Sequence, residues 1–183
     1  MKNIIFSLLM ILGLGGSCYA QNESAPSTFH RLLVFNEANE MMIVRIANTD
    51  TWVTPGHYQN HSVHIRKGMD SIASTYGMTI AESTLGGIFT TKSGINQSIS
   101  TRIMYVTKRR TADTIMPSIV EEVIWLPQKE AIAKIKFAST RALISQVLDN
   151  PETVWGGSLY AHKDEDGYKY ELLENFYPLF LKY

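Results

Sequence analysis

Residues 65–77, IRKGMDSIASTYG, place apolar side chains at Ile65, Met69, Ile72, Ala73 and Tyr76. Steps of four, three, one and three residues fall on one face of an α-helix. Gly77 stands where such a helix ends in a left-handed residue. Upstream the pattern changes: FHRLLVFN and MMIVRIAN are rich in β-formers and flank the turn-like EANE, which predicts a hairpin. An amphipathic helix set among strands restricts the chain to an α/β class. Trp52, Ile65, Met69 and Ile72 are expected in its core.

Downstream the alternation continues. MTIAESTLGGIFTTK, SISTRIMYVTK and VEEVIWLP read as strands. A short helix is expected from Gln128 to Ile135. A second, capped by Ser139-Thr140, should run through Leu148 and stop before Pro151. SLYAHKDEDGYKYEL predicts a hairpin around Asp166-Gly167. Read as a calcium loop, the same stretch would start at His162 and put Leu173 at the twelfth, glutamate position, so the hairpin is the better account. Strands interleaved with helices predict a mixed sheet.

The start of the chain, MKNIIFSLLMILGLGGSCYAQNES, has the form of a secretory leader. Lys2 precedes an apolar run over residues 4–14, and small residues lead to Ala20. Two readings are open: cleavage after Ala20, or lipidation at Cys18 behind Gly16 and Ser17. Either places the protein outside the cytoplasm, periplasmic or extracellular. Residues 1–20 form the leader, 21–27 a polar, flexible link, 28–150 the main domain and 151–183 a C-terminal extension packed on it. The apolar run is too short for a transmembrane span. Cys18 is the only cysteine, so no disulfide, thiolate metal site or cysteine nucleophile is available inside the fold. The 17 basic and 17 acidic residues balance, which gives no bulk attraction to nucleic acid.

One series of features goes further. A hairpin leads to Trp52-x-x-Pro55-Gly56. A helix ends in Gly77-Met78, two strands follow, and Ile124-Trp125-Leu126-Pro127 precedes a short helix with Glu130-Ala131. Over residues 29–137 this resembles the Nudix hydrolase family, whose motif is G-x5-E-x7-R-E-U-x-E-E-x-G-U with U bulky and aliphatic. The resemblance implies an α/β/α sandwich and cleavage of diphosphates linked to another group, with Mg²⁺ or Mn²⁺. Anchored on Gly77 and Met78, the motif's central U falls on Ile72 and its arginine on Asp70. Its three helix carboxylates fall on Ser71, Ser74 and Thr75. His57 takes the place of the second glycine of the usual Pro-Gly-Gly, and Ser62 or a neighbour that of the earlier glutamate. The resemblance is thus to a Nudix domain with a degenerate box. Hard divalent ions need carboxylate oxygens, which neutral hydroxyls do not replace.

Other candidates are local. His57, His61 and His64 form H-x3-H-x2-H, a spacing that suits imidazole ligation, with His61 and His64 on one helical face; the plainer reading is a polar helix entry. Glu121 and Glu122 precede Trp125, and Glu82 sits on another strand; these are the candidate catalytic acids. Arg66-Lys67 and Lys108-Arg109-Arg110 together offer cations for an anion. Trp155 and Tyr160 begin an aromatic-rich tail read either as an extra layer over the sheet or as a wall for a ligand. The leading expectation is an exported Nudix-like domain that binds a small ligand or a protein partner without metal or other cofactor. The alternative is an enzyme with non-standard residues, either a hydrolase of a phosphorylated or nucleotide-like substrate or a metal-independent isomerase or lyase. Oligomeric state is not legible.

Overall fold

The computed structural model describes residues 25–60, 62–111 and 115–182. The leader, Cys18 and His61 lie outside them. Among the described residues, nine strands form one mixed sheet with three helices on its faces. The chain runs β1 (Ser27–Phe35), β2 (Glu40–Ile46), β3 (Trp52–Val53), β4 (Gly56–Tyr58), α1 (Ile65–Thr75), β5 (Thr84–Ser93), β6 (Ser98–Lys108) and β7 (Val120–Pro127). It continues through α2 (Gln128–Lys134), α3 (Ala138–Asp149), β8 (Thr153–Asp164) and β9 (Gly167–Leu181). The strand order is β3-β2-β1-β6-β5-β8-β9, with β4 added to β1 and β7 to β2. No described helix is long and apolar enough to cross a membrane.

β1 organises the layers. It turns through a tight hairpin into β2 and lies parallel to β6 from Ser27↔Ser100 to Phe35↔Lys108. Successive side chains on a strand point to opposite faces. Leu33 and Phe35 therefore join the cluster under α2 and α3, with Phe89, Met104, Ala131, Ile135, Leu143 and Ile144. Leu32 and Val34 join Met42, Val44, Ile72, Tyr76 and Met78 under α1. One strand thus feeds two cores, and an α/β/α sandwich results.

Helix α1 forms where its spacing predicts. Gly77 adopts φ +71°, a conformation that costs a side-chain-bearing residue but not glycine. The Gly77 N–H then donates to Ser74 O and the Met78 N–H to Ala73 O, at 2.9 and 3.0 Å, the paired bonds of a Schellman ending. Ile72, Ala73 and Tyr76 are buried, whereas Trp52 and Met69 pack against the cores only in part. Ile65 departs from expectation: it is the first helical residue and is 45% exposed.

Three further differences have physical causes. Helix α3 starts at Ala138 behind Phe137, and Ser139 and Thr140 make no capping bond; they belong to its first turn. Glu82 is not on a strand but in the connection before β5. The tail is not a layer over the sheet but a continuation of it. β8 runs parallel to β5 from Gly87↔Trp155 to Ser93↔Ala161, and β9 closes the edge antiparallel to β8. The glycines of TVWGGS admit this packing: a Cβ at Gly156 would come within 2.7 Å of the Tyr177 ring, and one at Gly157 within 2.8 Å of Phe176.

Candidate functional site

Two places on β1 break its apolar alternation, one on each face. On the α1 face His30 precedes Leu32 and Val34 and is only 1% exposed. On the α3 face Arg31 sits between Phe29 and Leu33 and is 7% exposed. Both residues are paired with β4, His30 opposite His57 and Arg31 opposite Gly56.

Beneath α1, His30 stacks between His57 and Tyr105, at centroid separations of 5.2 and 5.9 Å and 22° in each case. Gly68 makes room for this: a Cβ there would lie 2.6 Å from His57 Nε2. None of the four ring nitrogens has a hydrogen-bond partner among the described residues. Burial lowers the pKa of His30, and the neighbouring His57 lowers it further; Gln59 approaches His30 and offsets part of this without a well-formed bond. Burial alone lowers that of His57. Both rings are therefore held neutral at pH 7.

A pH dependence follows. The unfolded chain protonates these rings below about pH 6.5, while the folded chain resists. Stability is expected to be full above that pH and to fall as the pH drops through the window between it and the lowered folded values. Urea midpoints from pH 7.5 to 5 should decline, and His30→Leu combined with His57→Leu should flatten that segment. An unchanged slope in the double variant would show that other groups cause the loss.

His57 also borders a cavity of about 280 Å³ with Ser71, Ile72, Thr75 and Tyr76. Ser71 and Thr75 bring hydroxyls to its α1 wall, and Ser74 stands beside them on the exposed side of the helix. The Ser74 hydroxyl donates to Asp70 O at 2.8 Å and the Thr75 hydroxyl to Ser71 O at 2.7 Å. Both are turned back onto their own helix, an arrangement open to serine and threonine.

On the opposite face lies a cavity of about 310 Å³ between the sheet and the first turn of α3. Arg31 and Arg102 line it, with Phe29, Tyr58, Phe137 and Ser139 among the other walls. The Arg31 guanidinium donates from Nη1 to Thr54 Oγ1 at 2.6 Å and to Thr54 O at 3.4 Å. Both guanidinium carbons lie 5.1 Å from the Phe29 ring centroid. Phe29 meets Tyr58 edge to face at 4.8 Å, and Tyr168 of β9 backs Phe137 in the same way at 4.8 Å. Burial, then the neighbouring Arg102, pulls the Arg31 pKa down to about 9, which still leaves it cationic at neutral pH.

The residues singled out from sequence are dispersed. His57 is on β4, turned under α1, whereas His64 is the exposed N-cap of α1, so it is not on a helical face. Among the described residues no three His, Cys, Asp or Glu side chains are grouped to hold a metal ion. Glu121 and Glu122 both pair with Arg45, at 2.9 and 3.1 Å. Such partly exposed pairs contribute at most about 1 kcal/mol each. Glu82 is exposed in a surface groove of about 470 Å³ with Arg66, Asp70 and Arg110. Two of the three arginines of the expected cation group, Arg66 and Arg110, do meet there, but beside two carboxylates. Lys67 is exposed on α1. Trp155 packs against the α3-side core and donates to Asn150 O at 3.2 Å. Tyr160 stacks on His162 at 5.4 Å. Neither of these aromatics lines the Arg31 cavity, although their neighbour Ala161 does. His30, Arg31 and Arg102 were not singled out from sequence. For His30 and Arg31 the available signal was a polar residue on each face of a largely apolar strand; Arg102 on β6 carried none.

Comparison of the whole backbone with solved structures bears on what this scaffold is. A mutator MutT protein from Bacillus halodurans superposes with a TM-score of 0.60 at 17% identity, covering 82% of this chain and 96% of that one. The fold is that of the Nudix hydrolases. The MutT protein of Methanosarcina mazei Go1 matches at TM-score 0.57 and 17% identity, over 69% of this chain and 96% of its own. A NUDIX hydrolase from Nitrosomonas europaea matches at 0.59 and 12%, over 68% and 90%. No protein-family model matches the sequence, and no curated protein does.

A Nudix fold implies a divalent metal on α1. The residues at the corresponding positions do not fit one. Ser71, Ser74 and Thr75 are neutral, and two of their hydroxyls are already engaged with the helix backbone. Mg²⁺ and Mn²⁺ require carboxylates there.

Proposed function

We infer that this chain is a Nudix-fold binding domain without metal-dependent diphosphate hydrolysis, which holds a small ligand in the cavity between α3 and the sheet. The observation that carries the reading is the state of α1. The scaffold positions Ile72, Gly77 and Met78 are kept, with Ile72 and Met78 buried and Gly77 ending the helix. The positions that would hold the metal carry serine and threonine. The structural neighbours named as hydrolases share the fold, while this helix lacks the charge such chemistry draws on. The cavity is of the size that ligand sites have, and it combines an apolar lining with a few convergent polar groups. In this reading the domain works outside the cytoplasm, delivered by the leader at residues 1–20. Metal-independent proton transfer would draw on His57 as its base, but both His57 nitrogens are buried. Binding is therefore the better account.

Calorimetry tests the reading. Titration with millimolar Mn²⁺ is expected to show no saturable heat. Saturable Mn²⁺ binding that is lost on replacing Glu82 would overturn it and assign a carboxylate outside α1 to a metal site.

A further inference from the structure

Arg31 poses an electrostatic problem that the fold does not solve. Long cations are rarely buried without an acidic partner. Arg31 is 7% exposed, and its only described hydrogen-bond partner is the neutral Thr54. The nearest like group is another cation, Arg102, which makes no ion pair among the described residues and packs on Phe29 and Tyr58. No Asp or Glu lines the cavity they share. Two guanidinium groups on one sheet face, with no carboxylate between them, form a concentrated positive field in a partly dry space.

The rest of the wall has the same sense. Ser139 and Thr140 line the cavity from the first turn of α3, a 12-residue helix with no side-chain cap. The N–H groups that a helix start leaves without an intrahelical partner, and the dipole of its first turn, favour negative charge. These groups alone would not define a site. The buried Arg31 gives them a common centre. Phe29, Tyr58 and Phe137 add aromatic surface beside the cations.

We propose that the cavity between α3 and the sheet is an oxyanion site, in which Arg31 and Arg102 hold the phosphate or carboxylate group of a small organic ligand whose apolar body lies against Phe29, Tyr58 and Phe137. The proposal rests on the ligand-binding reading above and names its ligand class. Guanidinium matches such groups in a two-pronged geometry. A dianion balances the two cations, so a phosphate monoester fits the charge better than a monocarboxylate.

The test uses the full chain and a simple probe. Phenyl phosphate, titrated calorimetrically at low salt, is expected to bind saturably, with phenol at least about tenfold weaker and benzoate between them. Arg31→Met and Arg102→Met should each weaken phenyl phosphate at least about tenfold. Arg66→Met, remote from the cavity, should leave it unchanged. Circular dichroism of each variant separates lost binding from lost folding, and Arg102→Met, at a half-buried position, keeps the test open where Arg31→Met does not fold. Phenol binding as tightly as phenyl phosphate, unchanged affinity in folded Arg102→Met, or no binding of phenyl phosphate at millimolar concentration would each overturn the proposal. Those outcomes leave the absence of metal-dependent hydrolysis untouched, since that is decided by Mn²⁺ and not by this probe.

Discussion

Phe89→Ala is expected to cost about 3–5 kcal/mol, the largest stability loss of any single change considered. Phe89 is 1% exposed on β5, at the centre of the α3-side core. It meets Phe176 of β9 edge to face at 5.7 Å. Truncation removes the ring's transfer energy and leaves a cavity that the strands cannot close, because β5 is held between β6 and β8. At this chain length each kcal/mol moves the midpoint by about 2–4 °C, so a fall on the order of 10 °C is expected in a thermal scan. A loss below about 1 kcal/mol would mean that β9 is not seated against β5 through β8 as described.

Arg31→Met should have the opposite sign. The ligand-free protein carries a desolvated cation with no acidic partner and a second cation nearby. Methionine keeps most of the volume and removes the charge. Replacing buried charge by a packed apolar side chain is commonly neutral or stabilising, by up to about 4 kcal/mol where the charge is poorly compensated. The short bond to Thr54 Oγ1 comes from a charged donor and opposes this by about 1.5–3 kcal/mol, while the long one to Thr54 O adds little. A net gain of about 1–2 kcal/mol is expected, read as a higher denaturant midpoint. Stability held below its attainable value at one residue is what a binding site imposes on a fold. A clear loss of stability would make Arg31 a structural residue.

The scaffold was legible because its signals are local. The α1 stripe, Gly77 and the two hairpins each declare themselves within a dozen residues, and the order of elements carries the resemblance to the Nudix fold. Ile65 departs because periodicity assigns a face but does not say whether the first residue on that face is covered. Ser139-Thr140 look like a cap, yet Phe137 takes that place and puts its ring in the cavity wall. Neither reading of the tail, extra layer or ligand wall, contains the sheet extension, because nothing within the tail announces that β8 will run parallel to β5, a pairing some 68 residues apart at Gly87↔Trp155. The site was hidden for the same reason. Arg31 and Arg102 are ordinary in sequence and gain meaning only when β1 and β6 lie side by side, with Phe29 opposite Arg102. His57 was noticed for its neighbours in sequence, whereas its partner in space is His30.

The function proposed above is that of a Nudix scaffold that keeps its helix without the metal chemistry of that helix. Its most direct test is a cleavage assay: the protein incubated with a panel of nucleoside diphosphate compounds and millimolar Mg²⁺ or Mn²⁺, with released phosphate or nucleotide followed over time. No turnover above the protein-free rate is expected, because Ser71, Ser74 and Thr75 supply neither the charge nor the chelating geometry that the ion requires. Turnover that is abolished by a chelator would contradict the account.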